Sequence, residues 1–201
     1  MADTLRAGAY HLAGNPSKYQ PVRTNNFTFL VDASDNSPLH SLLRVNENPE
    51  DASSYVNNAQ EVLEFSVLKF DVPHFSQDEI EIQRGNSKIY FAGRPTFNAG
   101  KLEIADFMSA DGKSVLMAWQ ALSYDISVDG IPNSDKYKAN ANVYEYMPDG
   151  TLIRSWALYG CWIKSITEVG WDNESGGKKT LSADIRFDRA IPTLEYNIYN
   201  H

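Results

Sequence analysis

The sequence is short of the residues that staple, chelate or anchor a chain. It holds one cysteine, Cys161, in 201 residues, so no intramolecular disulfide can form and the fold must stand on its core. A chain of this length is sufficient for that, because it can bury roughly 70% of its unfolded surface. No apolar run approaches the roughly 20 residues that span a bilayer. The opening residues MADTLRAG lack the apolar stretch of a secretion signal, which predicts a protein made and used in a reducing cytosol. In that setting the acceptor-like triplets at Asn26 (NFT) and Asn173 (NES) carry no glycosylation meaning. Basic runs are also missing. There are 18 Lys and Arg against 26 Asp and Glu, a formal charge of −8, and the acidic surplus is spread along the chain. Neutralising several phosphates at once dominates affinity for nucleic acid, so tight nucleic-acid binding is disfavoured.

What is abundant is aromatic and β-branched. Eleven Tyr, nine Phe and four Trp suit a pleated, half-buried surface and point to a mainly β fold. Residues 1–60 are polar and broken by turn formers at Gly14-Asn15-Pro16, Asp35-Asn36-Ser37-Pro38 and Asn46-Glu47-Asn48-Pro49, which predicts a less regular N-terminal arm. One strand stands out in it, over 26–32, where Phe27, Phe29 and Val31 alternate with polar residues. The run EVLEFSVLKF over 61–70 reads as a further strand. DEIEIQ and SKIYFAG flank Arg84-Gly85-Asn86 as a hairpin, with Ile80, Ile82, Ile89 and Phe91 expected to face inward. A short strand follows over 101–106.

The period then changes. Val115, Leu116, Trp119 and Leu122 mark one apolar stripe of a helix over 111–124. An exposed loop, VDGIPNSDKY, leads into two strands over 143–147 and 151–163 around the turn Pro148-Asp149-Gly150. Leu152, Trp156 and Leu158 share a face of the second. Leu181, Ala183, Ile185 and Phe187 alternate with polar residues in a last half-buried strand. The sum is about eight strands and one helix: a β-sandwich or partly rolled barrel with one flanking helix, and one domain spanning 1–201.

Catalytic and ligand-binding patterns do not assemble. Cys161 stands in an apolar strand, where a small buried thiol behaves as an inert hydrophobe. Of four histidines only His74 could partner it, since His11, His40 and His201 lie in weakly structured regions. Asp111-Gly112-Lys113-Ser114 mimics the end of a phosphate-binding loop, but Phe107 stands where that motif needs a glycine. Asp172-Asn173-Glu174-Ser175-Gly176-Gly177 lacks the ligand spacing of a calcium loop. Asp78, Glu79 and Glu81 read as solvated surface charges, and Trp119 and Trp156 as a core pair. No catalytic, cofactor-binding or metal-binding residue is assigned, and no enzyme activity is expected.

The segments SKIYFAGRPTF (87–97), KLEIADF (101–107), KSVLMAWQALSYD (113–125), EYMPDGTLIRSWALYGCWIKSI (145–166) and KKTLSADIRFDRAIP (178–192) resemble, in pattern and order, the tail tube proteins of contractile-tailed bacteriophages. The resemblance covers somewhat over half of the chain. It implies a fold shared with the hemolysin-coregulated protein of type VI secretion. It further implies six-membered rings whose inner strands join in a continuous barrel, stacked into a tube within a contractile sheath. The partners implied are other copies of the chain, the sheath, baseplate, tape measure and tail terminator proteins, with DNA passing through the bore without tight binding and no lipid contact. The implied setting is the virion, assembled in the host cytoplasm. An acidic balance suits a DNA conduit, at about −48 formal charges per six-membered ring, because a repelling lumen lets phosphates slide. Residues 1–60 match the family poorly, and the segments 129–138 and 46–58 are the expected stacking contacts.

Three other readings stand beside it. A tail terminator or baseplate ring protein would share the fold but form a single closed ring. A β-sandwich binding module would be a monomer presenting exposed aromatics on one sheet. A cysteine hydrolase using Cys161 and His74 would need a reactive thiol in an open pocket.

Overall fold

The computed structural model describes residues 23–32, 34, 36–40, 59–107, 112–168, 170 and 177–194. Nine strands and two α-helices run along them: β1 (Phe27–Val31), α1 (Ala59–Ser66), β2 (Val67–Phe70), β3 (Phe75–Arg84), β4 (Ser87–Phe97), β5 (Gly100–Ala105), α2 (Gly112–Ala121), β6 (Ala139–Tyr146), β7 (Leu152–Glu168), β8 (Thr180–Arg186) and β9 (Arg189–Leu194), with a 3-10 turn at Ser134–Lys136. The main sheet is antiparallel in the order β1-β6-β7-β8-β5-β2, with β9 pairing β7. The hairpin β3–β4 forms a separate two-stranded sheet. The chain is thus mainly β, with a sheet that curls without closing.

The curl has a sequence cause. β7 is 17 residues long and pairs β9 through Arg154 to Tyr159 and β8 through Trp162 to Glu168, so it belongs to both halves of the sheet. It bends at Gly160, where φ is +68°, a conformation that costs an ordinary L-residue. An added Cβ there would collide with the Asp188 carboxylate, which Lys138 holds at 2.7 Å. The amide of Asp188 donates to the Tyr159 carbonyl at 2.9 Å, so the link between β8 and β9 turns the same corner as β7. The two ends of the sheet are thereby brought close: the rings of Phe29 on β1 and Phe70 on β2 lie 4.8 Å apart, although β1 and β2 are not paired.

Period-two alternation sets the inner face. Leu181, Ala183 and Ile185 of β8, Leu102 and Ile104 of β5, Ala139, Ala141 and Val143 of β6, and Phe29 and Val31 of β1 are all buried. Leu158, Cys161 and Ile163 of β7 complete that face. Helix α2 covers it with Val115, Leu116 and Trp119, as the stripe predicts, and Leu122 packs on the cluster just past the helix. Trp156, by contrast, is only half-buried at the cluster's margin.

Two expectations need correction. The strand expected over 61–70 is split: its first part is the end of α1, and only Val67–Phe70 is extended. Leu63 and Ser66, buried one helical turn apart, and Val62 against the core give this segment a helical inner face. Its β-like composition yields to a site packed against β1, β5 and α2. Ile80, Ile82 and Phe91 do not face inward either. All three are exposed, because the core is closed by other strands and the hairpin stands outside it.

Candidate assembly interface

The hairpin presents several exposed large apolar side chains. Its strands are 10 and 11 residues long, about 33 Å at the usual rise per residue, joined by the two-residue turn Gly85-Asn86. Register places Ile80 opposite Phe91 and Ile82 opposite Ile89, while Glu79, Glu81 and Gln83 oppose Ala92, Tyr90 and Lys88 on the other face. One face is therefore apolar and the other polar, as strict alternation requires. Ile80, Ile82 and Phe91 are 52%, 51% and 53% exposed. At the root Phe75 meets Phe97 and Phe97 meets Phe187, at 5.9 and 6.2 Å between ring centres. Beyond that root neither strand packs substantially on another of the described elements.

A second unfilled surface lies where the sheet fails to close. The outer edges of β1 and β2 carry no neighbouring strand among the described residues. Between them opens a groove of about 460 Å³, lined by Phe27, Leu68, Phe70, Val72, Val143 and Trp156, with Arg23, Lys69 and Glu145 among its polar residues. Glu145 is paired with Arg154 at 3.2 Å, and Lys69 makes only a loose contact with Asp71 at 3.8 Å.

A third is the loop after α2. The backbone bridge between Asp125 and Gly130, the bond from the Tyr124 hydroxyl to the Asp129 carboxylate and the bond from the Ser127 amide to Asp125 hold its tip. Ile126 and Ile131 project from it 84% and 79% exposed, with Val128 between them. This loop adjoins the expected stacking segment 129–138. The other such segment, 46–58, lies outside the described residues.

The residues weighed for chemistry are not brought together. Cys161 is fully buried on β7, and burial, reinforced by the nearby Asp188 charge, pushes its thiol up to about 12. At neutral pH it is neutral and enclosed, the opposite of a nucleophile. His74 is exposed in the link between β2 and β3. Lys113, at the start of α2, pairs with Glu168 of β7 at 2.7 Å. Lys179 adds contacts to Glu168 at 3.6 Å and Asp106 at 3.5 Å. The Lys113 hydrogen bond, above all, holds the Glu168 carboxyl below its ordinary range. Lys113 thus ties helix to sheet instead of holding phosphate. Glu81 is paired with Lys88 at 2.7 Å, while Asp78 and Glu79 are solvated on β3. The segment 172–176 lies outside the described residues. Among the described residues no group of three acidic, histidine or cysteine side chains is placed to hold a metal ion, and no helix is long and apolar enough to cross a membrane. The exposed tyrosines Tyr90, Tyr124 and Tyr159 lie on different elements and not on one sheet face.

The fold, a curled antiparallel sheet capped by a helix with a hairpin standing off it, is similar to that of chains from contractile injection systems. Solved structures carry this comparison. A chain of the sheath–tube complex of an extracellular contractile injection system (PVC) is 14% identical, with a TM-score of 0.57 over 88% of this chain and 93% of that one. A chain from the sheath/tube terminator of the same system is 16% identical, with a TM-score of 0.58 over 87% and 97%. A chain from the six-fold symmetrised baseplate of the anti-feeding prophage is 10% identical, with a TM-score of 0.57 over 87% and 96%. No family model matches the sequence, and no curated protein does. The shared feature is the fold, and it is the fold that the sequence resemblance implied.

Proposed function

We propose that the chain is the building block of the inner tube of a contractile injection apparatus, assembling with itself into stacked rings inside a sheath. The observation that carries this reading is the hairpin: a long apolar face that stays exposed and uncovered by the other described elements, on a fold similar to that of tube proteins. An exposed patch of this kind on a folded chain marks a binding surface. Here a neighbouring copy covers it, and ring closure at the same time satisfies strand edges that a lone sheet leaves open. Rings of six follow the symmetry of the anti-feeding prophage baseplate. Sheath and baseplate are the partners, by likeness to the PVC and anti-feeding prophage assemblies. In a phage the bore conducts the genome between tape measure and terminator, and the particle is a virion tail assembled in the host cytoplasm. The single domain, the absence of catalytic residues and the mechanical role belong to this same reading.

Likeness to a terminator chain supports a second reading, a single capping ring. Negative-stain electron microscopy of the purified protein, over a range of concentrations and with its mass in solution, separates the two. Stacked hollow rings are expected. Single rings that never stack would select the terminator reading, and a monomer at all concentrations, with or without a purified baseplate to nucleate growth, would overturn both.

A further inference from the structure

We infer that the apolar face of the hairpin docks head-to-tail into the groove between β1 and β2 of a second copy, so that each subunit offers one plug and one socket. This rests on the self-assembly proposed above and names the surfaces that carry it.

The plug and the socket are separate surfaces of one chain. The plug is the strip of Ile80, Ile82 and Phe91, on a ribbon about 33 Å long that reaches well beyond its own sheet. The socket is the break in the curled sheet, flanked by the edges of β1 and β2 that are unpaired among the described residues and floored by Phe27, Phe70 and Trp156. At about 460 Å³ it accepts several large apolar side chains, and the open edges beside it can hydrogen-bond an incoming strand. The hairpin brings open edges of its own, since among the described residues β3 and β4 pair only with each other.

Charge agrees with the pairing. Among the described lining residues the carboxylate of Glu145 is neutralised by Arg154, which leaves Arg23, with Lys69 in its 3.8 Å contact with Asp71, as the basic side of the groove. On the hairpin Asp78 stands at the register shift beside the apolar strip and is exposed, whereas Glu79 lies on the opposite, polar face. One acid at the strip thus meets the basic side of the groove when the strip enters it. Opposed charges at such a rim favour the right partner and orientation more than they add affinity.

Topology follows from this. A contact between two different patches of the same chain is heterologous, and repeating it generates a closed ring or an open helical row instead of a two-fold dimer. A hairpin meeting its own copy would give the dimer.

Engineered cysteines test this directly, because the native Cys161 is buried and unreactive. Ile80→Cys and Ile82→Cys are placed on the plug, and Leu68→Cys and Val72→Cys on the socket, all at exposed positions. Each plug variant is mixed one-to-one with each socket variant, allowed to assemble and oxidised by air with a copper catalyst. At least one plug-plus-socket mixture is expected to give a disulfide-linked dimer on a non-reducing gel. Each variant alone should stay monomeric on the same gel, and a chain carrying both cysteines of that pair should give a ladder. Self-linking of plug variants, or rings visible by microscopy with no plug–socket disulfide in any mixture, overturns the docking while leaving the tube reading intact. A protein that forms no oligomer overturns both. A charge test backs the first. Arg23→Glu with Lys69→Glu is expected to raise the concentration for assembly at least tenfold, and adding Asp78→Lys to the same chain should recover part of it. No recovery in a folded chain would count against the proposed contact.

Discussion

Replacing Ile80 and Ile82 together by threonine should leave the subunit folded and disable its assembly. Threonine is β-branched, so the strand loses little of its intrinsic preference, and the turn at Gly85-Asn86 is untouched. Both isoleucines are about half exposed in the subunit. Full burial of an Ile side chain stabilises by ~1.5–3 kcal/mol, so covering the exposed half is worth about 1 kcal/mol each, or about 2 kcal/mol for the pair. One tenfold change corresponds to about 1.4 kcal/mol, so the concentration for half-assembly should rise roughly 30-fold. The subunit itself should change by about 0.5 kcal/mol or less, as at other exposed sites. Sedimentation velocity across a dilution series measures the first quantity, and a circular dichroism melt of the dissociated chain the second. A folded variant that assembles at the wild-type concentration would refute the reasoning, because the hairpin face would then be solvent-exposed in the assembly as well.

Further outcomes follow from local geometry. Gly150 has φ +85° with open space where a Cβ would stand, so Gly150→Val acts through backbone strain alone. It should cost about 1–2 kcal/mol and lower the melting midpoint by a few degrees, with Gly150→Asn closer to wild type. Cys161, pushed up to about 12, should resist a thiol reagent at pH 8 in the native subunit and react fully once denaturant is added; rapid native labelling would place the thiol at the surface. Glu168, held below its ordinary value chiefly by Lys113, contributes stability that is present above the unfolded pKa of about 4.3 and lost as pH falls through the lower folded value. Thermal stability should therefore drop more between pH 6 and pH 3 for the wild type than for Glu168→Gln, and equal drops would remove the carboxylate from the pH response.

The sequence by itself determined the class of fold and most of its strands. Alternation over β1 and β8, the stripe on α2 and the turns at Gly85-Asn86 and Pro148-Asp149-Gly150 are local signals, set by side-chain period and by backbone strain at positive φ, and each is read within about ten residues. The burial of Cys161 on a strand was legible for the same reason, since its neighbours Tyr159 and Trp162 mark an apolar strand. Tertiary structure decided the rest. Whether EVLEFS coils or extends depends on a slot between β1, β5 and α2, which no window of sequence contains. That β7 serves both halves of the sheet depends on Gly160 meeting Asp188, which lies 28 positions away along the chain. The hairpin shows the limit most clearly: alternation correctly placed Ile80, Ile82, Ile89 and Phe91 on one face, and the same pattern describes a face turned to the core or to a neighbouring subunit. Burial belongs to the whole packed molecule, so only the folded chain could reveal that this apolar face points away from it.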